Sequence, residues 1–128
     1  MNDFAADEWR RATASLRAAR SLIHIDADSA ASRAYYAAFH AVSALFALRG
    51  QSFLRAAVRR DWVKPRDWDK ELRRSYDYLV DLRETGDYGG ASHASQEDAE
   101  EAVRKANLVL EAVRRASPQA FPETDAPC

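Results

Sequence analysis

Apolar residues recur with a helical period at the start of the chain. Neither glycine nor proline interrupts the first 49 residues, and alanine, which has the highest intrinsic helix propensity, is frequent there. The apolar positions of the first stretch fall roughly on one side of a helix: Phe4, Trp9, Leu16, Ala19 and Ile23. We therefore predict a first helix over residues 3–24, with Asn2 or Asp3 as its N-cap.

A second helix is predicted over residues 28–49, after a short turn that contains several capping residues. Asp28 or Ser29 can cap its start, and Gly50 can end it. A core stripe steps by four, three and four residues: Tyr35, Phe39, Val42 and Phe46. Leu45 and Leu48 extend the apolar surface beyond that stripe. Because one small domain has difficulty covering so much surface, we expect a homodimer.

The middle of the chain predicts a short helix over residues 52–63, closed by Pro65, and a long one over 67–85, capped by Asp67. The long helix is expected to end at Gly86, with Gly89 and Gly90 beyond it. Its buried seam steps by four and three residues: Trp68, Leu72, Ser75, Leu79 and Leu82.

The last helix, predicted over residues 95–116, has the strongest start signal. Ser95 and Asp98 form a variant of the capping box, and acidic residues occupy the positive end of the helix dipole. The expected inward stripe is Ala99, Ala102, Val103, Ala106, Leu110 and Val113. Three prolines follow, so we expect a disordered tail over 117–128.

No segment alternates apolar and polar residues as a strand does. The sequence therefore predicts an all-α fold: an antiparallel helical bundle of four long helices plus one short helix, in a single domain over residues 1–116. A length of 128 residues fits one domain.

Composition excludes several classes of protein but does not identify a function. The formal charge of −1 does not indicate a strongly basic nucleic-acid binder, although 16 of the 19 cations are arginine, which suits phosphate. Cys128 is the one cysteine, so the chain has neither an internal disulfide nor a zinc-ligand pattern, and no cofactor or metal motif is evident. No apolar run approaches the ~20 residues of a membrane span, and the acidic, polar N-terminus shows no signal-peptide h-region, so we expect neither feature. We expect a cytoplasmic protein that does not enter a membrane.

Polar and aromatic residues share a second stripe of the second helix. Arg33, Tyr36 and His40 lie three to four residues apart, with small alanines between them. They are candidates for one wall of a ligand-binding cleft. A structural interpretation is also open, in which Tyr36 and His40 are hydrogen-bonded core residues and Arg33 forms a buried ion pair.

The end of the fourth predicted helix supplies a second candidate group. Arg83, Asp87 and Tyr88 lie where the helix meets its glycines, and we expect them near the first three residues. Together the six would offer two guanidiniums for phosphate, an imidazole, and phenols for hydrogen bonding or stacking. The structural alternative is an ordinary helix end stopped by Gly86.

A local basic patch runs from Arg55 to Arg66 and includes Trp62. It suits a phosphate backbone with a stacking aromatic, and it equally suits a solvated helix face.

Two segments carry a resemblance to a known family. SRAYYAAFHAVSALFALRG (32–50) and LVDLRETGDYGGASHASQEDAEEAVRKANLVLEAV (79–113) resemble the signature helix and the closing segment of HEPN-domain proteins of bacteria and archaea. The resemblance covers roughly Ala27 to Val113 and implies a HEPN-like helical bundle that usually forms a homodimer.

The resemblance also implies two kinds of activity. In some relatives an arginine and a histidine, with four to six residues between them, meet across the dimer and cleave RNA without metal. Others pair with a minimal nucleotidyltransferase in toxin–antitoxin systems, where a tyrosine near the motif receives a nucleotide. Here Arg83 has Tyr88, Gly89 and Gly90 at the spacing where the histidine belongs. Arg33 and His40 have a matching spacing, but in the earlier helix.

Two function classes therefore remain open. The first is a module that binds a nucleotide, RNA or a nucleotidyltransferase partner and lacks an intact ribonuclease motif at the usual place. The second is a metal-independent ribonuclease toxin in which Arg33, His40 and Arg83 are catalytic. A toxin–antitoxin or defence context is expected for both.

Overall fold

The computed structural model describes residues 3–50, 70–87 and 93–122, with side chains except over 84–87, and these ranges contain four α-helices. The helices are α1 (Asp3–Leu22), α2 (Ala27–Leu48), α3 (Lys70–Asp87) and α4 (Gln96–Ala116). No strand occurs in these ranges, so the all-α prediction is confirmed. Four predictions lie outside the described residues: the short helix over 52–63, its end at Pro65, the Asp67 cap and the basic patch around Trp62.

Successive described helices run antiparallel, as predicted. Glu8 in the first half of α1 contacts His40 in the second half of α2, and Tyr36 in the first half of α2 meets Arg83 near the end of α3. Asp28 at the start of α2 binds Ala94 just before α4, so α2 and α4 run parallel. α2 packs against all three other helices and forms the centre of the bundle.

Small side chains dominate the core. Alanines with no exposed surface occur on α1, α2 and α4 and let the helix backbones approach closely: Ala5, Ala12, Ala19, Ala30, Ala34, Ala37, Ala38, Ala41, Ala44, Ala99, Ala102 and Ala106. The inward stripe predicted for α4 is buried throughout. On α2, Val42 and Phe46 are buried as predicted, whereas Tyr35 and Phe39 are only partly buried against the core.

The buried face of α1 differs from the prediction at its first position. Phe4 is 61% exposed, and Ala5 occupies the core instead. The reason is helical register: Ala5, Trp9, Ala12 and Leu16 repeat by four, three and four residues, and Phe4 lies one residue off that stripe. Ile23 packs against the core as expected.

α2 is capped by Asp26, so the prediction of Asp28 or Ser29 is wrong. The Asp26 carboxylate accepts hydrogen bonds from the backbone N–H of Ser29 at 3.2 Å and from its hydroxyl at 2.7 Å. The Ser29 hydroxyl, with that backbone bond, lowers the pKa of Asp26. Because the cap lies two residues earlier, Asp28 is available to bind elsewhere.

The predicted start of α4 is confirmed. The Ser95 hydroxyl accepts from the Asp98 N–H, and the Asp98 carboxylate accepts from the Ser95 N–H, each at 3.0 Å. At the end of α2, Gly50 has a φ of +74°, the left-handed conformation that glycine adopts without strain. Gly86 does not stop α3, which continues to Asp87. A glycine weakens a helix but ends it only where the backbone turns left-handed.

The segment after α4 packs onto α1 over residues 117–122, the first part of the tail for which disorder was predicted. Phe121 is fully buried, with its ring centroid 5.1 Å from that of Trp9. Trp9 Nε1 donates to the Pro122 carbonyl at 3.1 Å. The three prolines suggested disorder, but one aromatic residue, Phe121, is enough to anchor this short segment. Residues 123–128 lie outside the described part of the chain.

None of the described helices has both the length and the apolar composition needed to cross a bilayer.

Candidate functional site

A row of aromatic side chains lies on the part of α2 that faces α3. This aromatic row consists of Tyr35, Tyr36, Phe39 and His40, all partly buried. The Tyr35 and Tyr36 rings meet edge to face at 5.1 Å, and Phe39 lies 6.0 Å from Tyr35. Each ring therefore keeps its neighbours in place while part of its surface remains accessible.

Arg83 of α3 is fixed against this row. Its Nη2 donates to the Tyr36 hydroxyl at 3.0 Å, and its guanidinium carbon lies 5.0 Å from the centre of the Tyr35 ring and 5.3 Å from that of Tyr36. Both distances suit a cation–π interaction. Because the Tyr36 oxygen accepts from Arg83, the phenol proton can still be donated to an anionic ligand.

Tyr76 of α3 supports the row from the core. It is buried, and its ring lies 6.3 Å from that of Tyr35. Burial, together with the neighbouring Tyr35, raises the pKa of Tyr76 well above its ordinary value. Tyr76 is therefore a neutral, rigid support beneath the accessible groups.

His40 closes one end of the row and is held from the opposite side by α1. Its Nδ1 lies 3.0 Å from Oε1 of Glu8. Phe39 meets the imidazole edge to face at 5.6 Å, and the Tyr36 ring lies 6.3 Å away. An imidazole with a carboxylate on one nitrogen can act as an acceptor or proton carrier through the other.

Arg33 lies at the opposite end of the row from His40. It is exposed, and no ion pair joins it to another described residue. This exposure argues against a buried ion pair at Arg33. Its guanidinium lies on the same helix as Tyr36, three residues earlier, and is accessible to an anion from solution.

The structure locates the side chains of four of the six predicted site residues. Tyr36, His40 and Arg83 come together, with Arg33 on the adjoining turn of α2. Asp87 lies at the end of α3, but its side chain, like the whole of Tyr88, is outside the described residues. The nearness of Asp87 and Tyr88 to the row stays a prediction.

The other histidines have separate surroundings. His24 is exposed in the turn between α1 and α2. His93 Nδ1 lies 2.9 Å from Oδ2 of Asp28, whose other oxygen accepts from the Ala94 N–H at 2.7 Å. Asp28 therefore fixes the start of the α4 segment to α2. Among the described residues no three His, Cys, Asp or Glu side chains cluster as metal ligands do.

The sequence reasoning predicted Tyr35 and Phe39 only as core residues, and it missed Glu8 altogether. Glu8 is 8% exposed, within the α1 stripe that also buries Ala5 and Ala12. A carboxylate three residues after one buried alanine and four before another is the signal that could have revealed it.

Three comparisons with known proteins agree with this architecture. The sequence profile of the HEPN domain matches residues 5–116. A UPF0332 protein of Thermotoga maritima is 38% identical over 92 residues, which cover 68% of this chain and 70% of the relative. The crystal structure of the protein TT1696 from Thermus thermophilus superposes with a TM-score of 0.75 at 25% identity, covering 90% of this chain and 98% of that one.

Proposed function

The chain belongs to the HEPN domain family, and from that premise we propose that it binds RNA or a nucleotide through the aromatic row and its two arginines. In this proposal it is a binding module of a toxin–antitoxin or defence system and does not itself cleave RNA.

The fixed guanidinium of Arg83 is the observation that carries the proposal. One hydroxyl and two aromatic rings hold it in place, so little side-chain entropy is lost when it binds a phosphate. Arg33 adds an accessible second cation. The partly exposed rings of Tyr35 and Phe39 can stack on bases, which completes the combination typical of single-stranded nucleic-acid sites.

The absence of a histidine at the spacing expected after Arg83 supports binding without cleavage, because Tyr88, Gly89 and Gly90 occupy those positions. One observation favours a second candidate, the metal-independent ribonuclease. His40 is held by Glu8 in the same cluster as Arg83. In that case His40 moves the proton of the reacting hydroxyl, and Arg33 and Arg83 stabilise the phosphate.

A homodimer and a minimal nucleotidyltransferase partner remain part of the proposal on the family resemblance alone. The apolar excess on α2 that suggested a dimer is largely covered within the chain, since Leu45 is 1% exposed and Leu48 packs against the core. Sedimentation at tens of micromolar tests the dimer, and a monomer there contradicts it.

Binding of a fluorescent single-stranded RNA of about ten nucleotides, measured by anisotropy, tests the main proposal. Arg83→Ala is expected to weaken binding about tenfold, the effect of one charge-assisted contact. Arg17→Ala is the matched control, because Arg17 is an exposed arginine of α1 and its loss changes the charge equally. Unchanged affinity in a folded Arg83→Ala variant contradicts the proposal.

The same RNA separates the two candidate functions. Incubation with the wild-type protein in the presence of a chelator is expected to leave it intact. Cleavage that His40→Ala abolishes would replace the binding proposal with the ribonuclease.

A further inference from the structure

Glu8 is a carboxylate placed where α1 otherwise buries apolar side chains. Its side chain is 11% exposed, and the neighbouring stripe positions Ala5, Trp9 and Ala12 are in the core. Burying a carboxylate is unfavourable unless it is paired and hydrogen-bonded. Two groups meet it here: Nδ1 of His40 at 3.0 Å from one oxygen and Nε of Arg11 at 3.7 Å from the other.

We propose that Glu8 is a positioning residue for the aromatic row: it holds His40 with the proton on Nδ1 and leaves Nε2 as the acceptor offered to a ligand. This inference rests on the proposed binding function. It gives Glu8 a role through His40 and does not require Glu8 to touch the ligand.

The chemistry of the two groups fixes the direction of the bond. An ionised carboxylate can only accept hydrogen bonds, so with Glu8 ionised the 3.0 Å contact places a proton on Nδ1. A neutral imidazole carries one N–H, and its other nitrogen is then an unprotonated acceptor. Pairing with Glu8 therefore selects one of the two neutral tautomers.

The packing of neighbouring rings around His40 opposes a flipped imidazole, in which Nδ1 would face away from Glu8. The His40 side chain is 21% exposed, with Phe39 edge to face on one side and Tyr36 nearby. An imidazole packed in this way does not turn over freely, and turning it would break the bond to Glu8. The orientation of Nε2 is therefore set jointly by α1 and the row.

An acceptor at this position changes what the site recognises. Arg83, Arg33 and the Tyr36 hydroxyl all offer donors, which suit phosphate oxygens. Nε2 of neutral His40 instead requires a donor from the ligand, such as a ribose hydroxyl. The 2′-hydroxyl is the group that lets a protein distinguish RNA from DNA.

Nitrogen-detected NMR of the histidine side chains in the wild-type protein tests the tautomer directly. At about pH 8.5, where an ordinary imidazole is neutral, the His40 signals are expected to show a protonated Nδ1 and an unprotonated Nε2. A protonated Nε2 with a bare Nδ1 overturns the proposal. This measurement needs no variant, so it stands even if substitutions at Glu8 prevent folding.

A pair of single strands, RNA and DNA of the same sequence, tests the consequence for binding. The wild-type protein is expected to prefer RNA about fivefold, the effect of one hydrogen bond. Glu8→Ala should bring the ratio to about one while Arg83-dependent binding persists, and Glu8→Gln should restore it because the amide oxygen can accept from Nδ1. Asp7→Asn, at a half-exposed neighbour on α1, should leave the ratio unchanged.

A folded Glu8→Ala variant that keeps the wild-type RNA preference overturns the positioning role. Loss of the preference in Glu8→Gln as well as Glu8→Ala, with a wild-type-like tautomer in Glu8→Gln, also overturns it. If the wild-type protein binds neither strand, the proposed function fails, whereas the tautomer measurement still decides what Glu8 does to His40.

Discussion

α1 and α3 bring different side chains to α2. α1 buries three alanines with no exposed surface, Ala5, Ala12 and Ala19. α3 brings Tyr76 and Arg83, which meet aromatic rings and a hydroxyl. Small side chains give tight packing and no reactive groups, whereas rings spaced about an arginine leave polar atoms partly accessible. The same central helix therefore uses one neighbour chiefly for stability and the other for the candidate chemistry, with the Glu8–His40 contact joining the two.

The largest expected effect comes from crowding the alanine side. Ala12→Leu forces three extra carbon atoms into a site with no free surface and should lower the free energy of unfolding by about 2 kcal/mol, as overpacked cores do. Ala14→Leu is the matched control, because Ala14 is exposed on the same helix. Urea unfolding measures both, and equal stabilities would contradict the tight packing of α1.

Removing one hydroxyl from the aromatic side should have a smaller effect. Tyr36→Phe deletes the acceptor that lies 3.0 Å from Arg83 Nη2, and we expect a loss of about 1 kcal/mol. In Tyr78→Phe the hydroxyl lost lies 3.5 Å from the Asp98 carbonyl, a weak bond, so that control should scarcely change the thermal midpoint. A larger loss in Tyr78→Phe than in Tyr36→Phe would show that Arg83 is not held by the hydroxyl.

The last expected effect concerns Tyr76. It is the smallest at neutral pH, because it becomes measurable only in alkali. Because burial raises its pKa in the folded state, Tyr76 stays neutral there after the unfolded chain begins to ionise near pH 10. Its contribution is therefore complete below about pH 10 and is lost as the pH rises further. Thermal midpoints between about pH 9 and 12 should fall less steeply in Tyr76→Phe than in the wild type. Parallel curves would contradict the buried, neutral Tyr76.

Helices and some of their ends were predictable because their signals are local. At the ends that lie within the described residues, the predicted ranges 3–24, 28–49, 67–85 and 95–116 agree with the observed helices to within two residues. The Ser95 box was recognisable because both partners lie within one turn. The α2 cap was not, because Asp26, Asp28 and Ser29 are all good caps and the choice among them is made partly by tertiary contacts. The Asp28 carboxylate instead accepts a hydrogen bond from the backbone N–H of Ala94, 66 residues away in sequence.

The candidate site was only partly predictable. Helical spacing identified Arg33, Tyr36 and His40 as neighbours, since that relation holds within any helix. The pairing of Tyr36 with Arg83 and of His40 with Glu8 depends on how α2 packs between its neighbours. Spacing within one helix carries no information on that packing. Phe4, which was grouped with the apolar positions on one side of α1, lies off the buried stripe because Ala5, Trp9 and Ala12 set its register.

The contact between Trp9 and Pro122 has a consequence for the order in which the chain can fold. Its two ends are 113 residues apart in sequence, so forming it requires nearly the whole domain to be in place. During synthesis from the N-terminus, α1 and α2 can pair early through their short turn. Trp9 is covered only after Phe121 has left the ribosome. The packing of α1 is therefore completed among the last events of folding, although α1 precedes the other described helices in the chain.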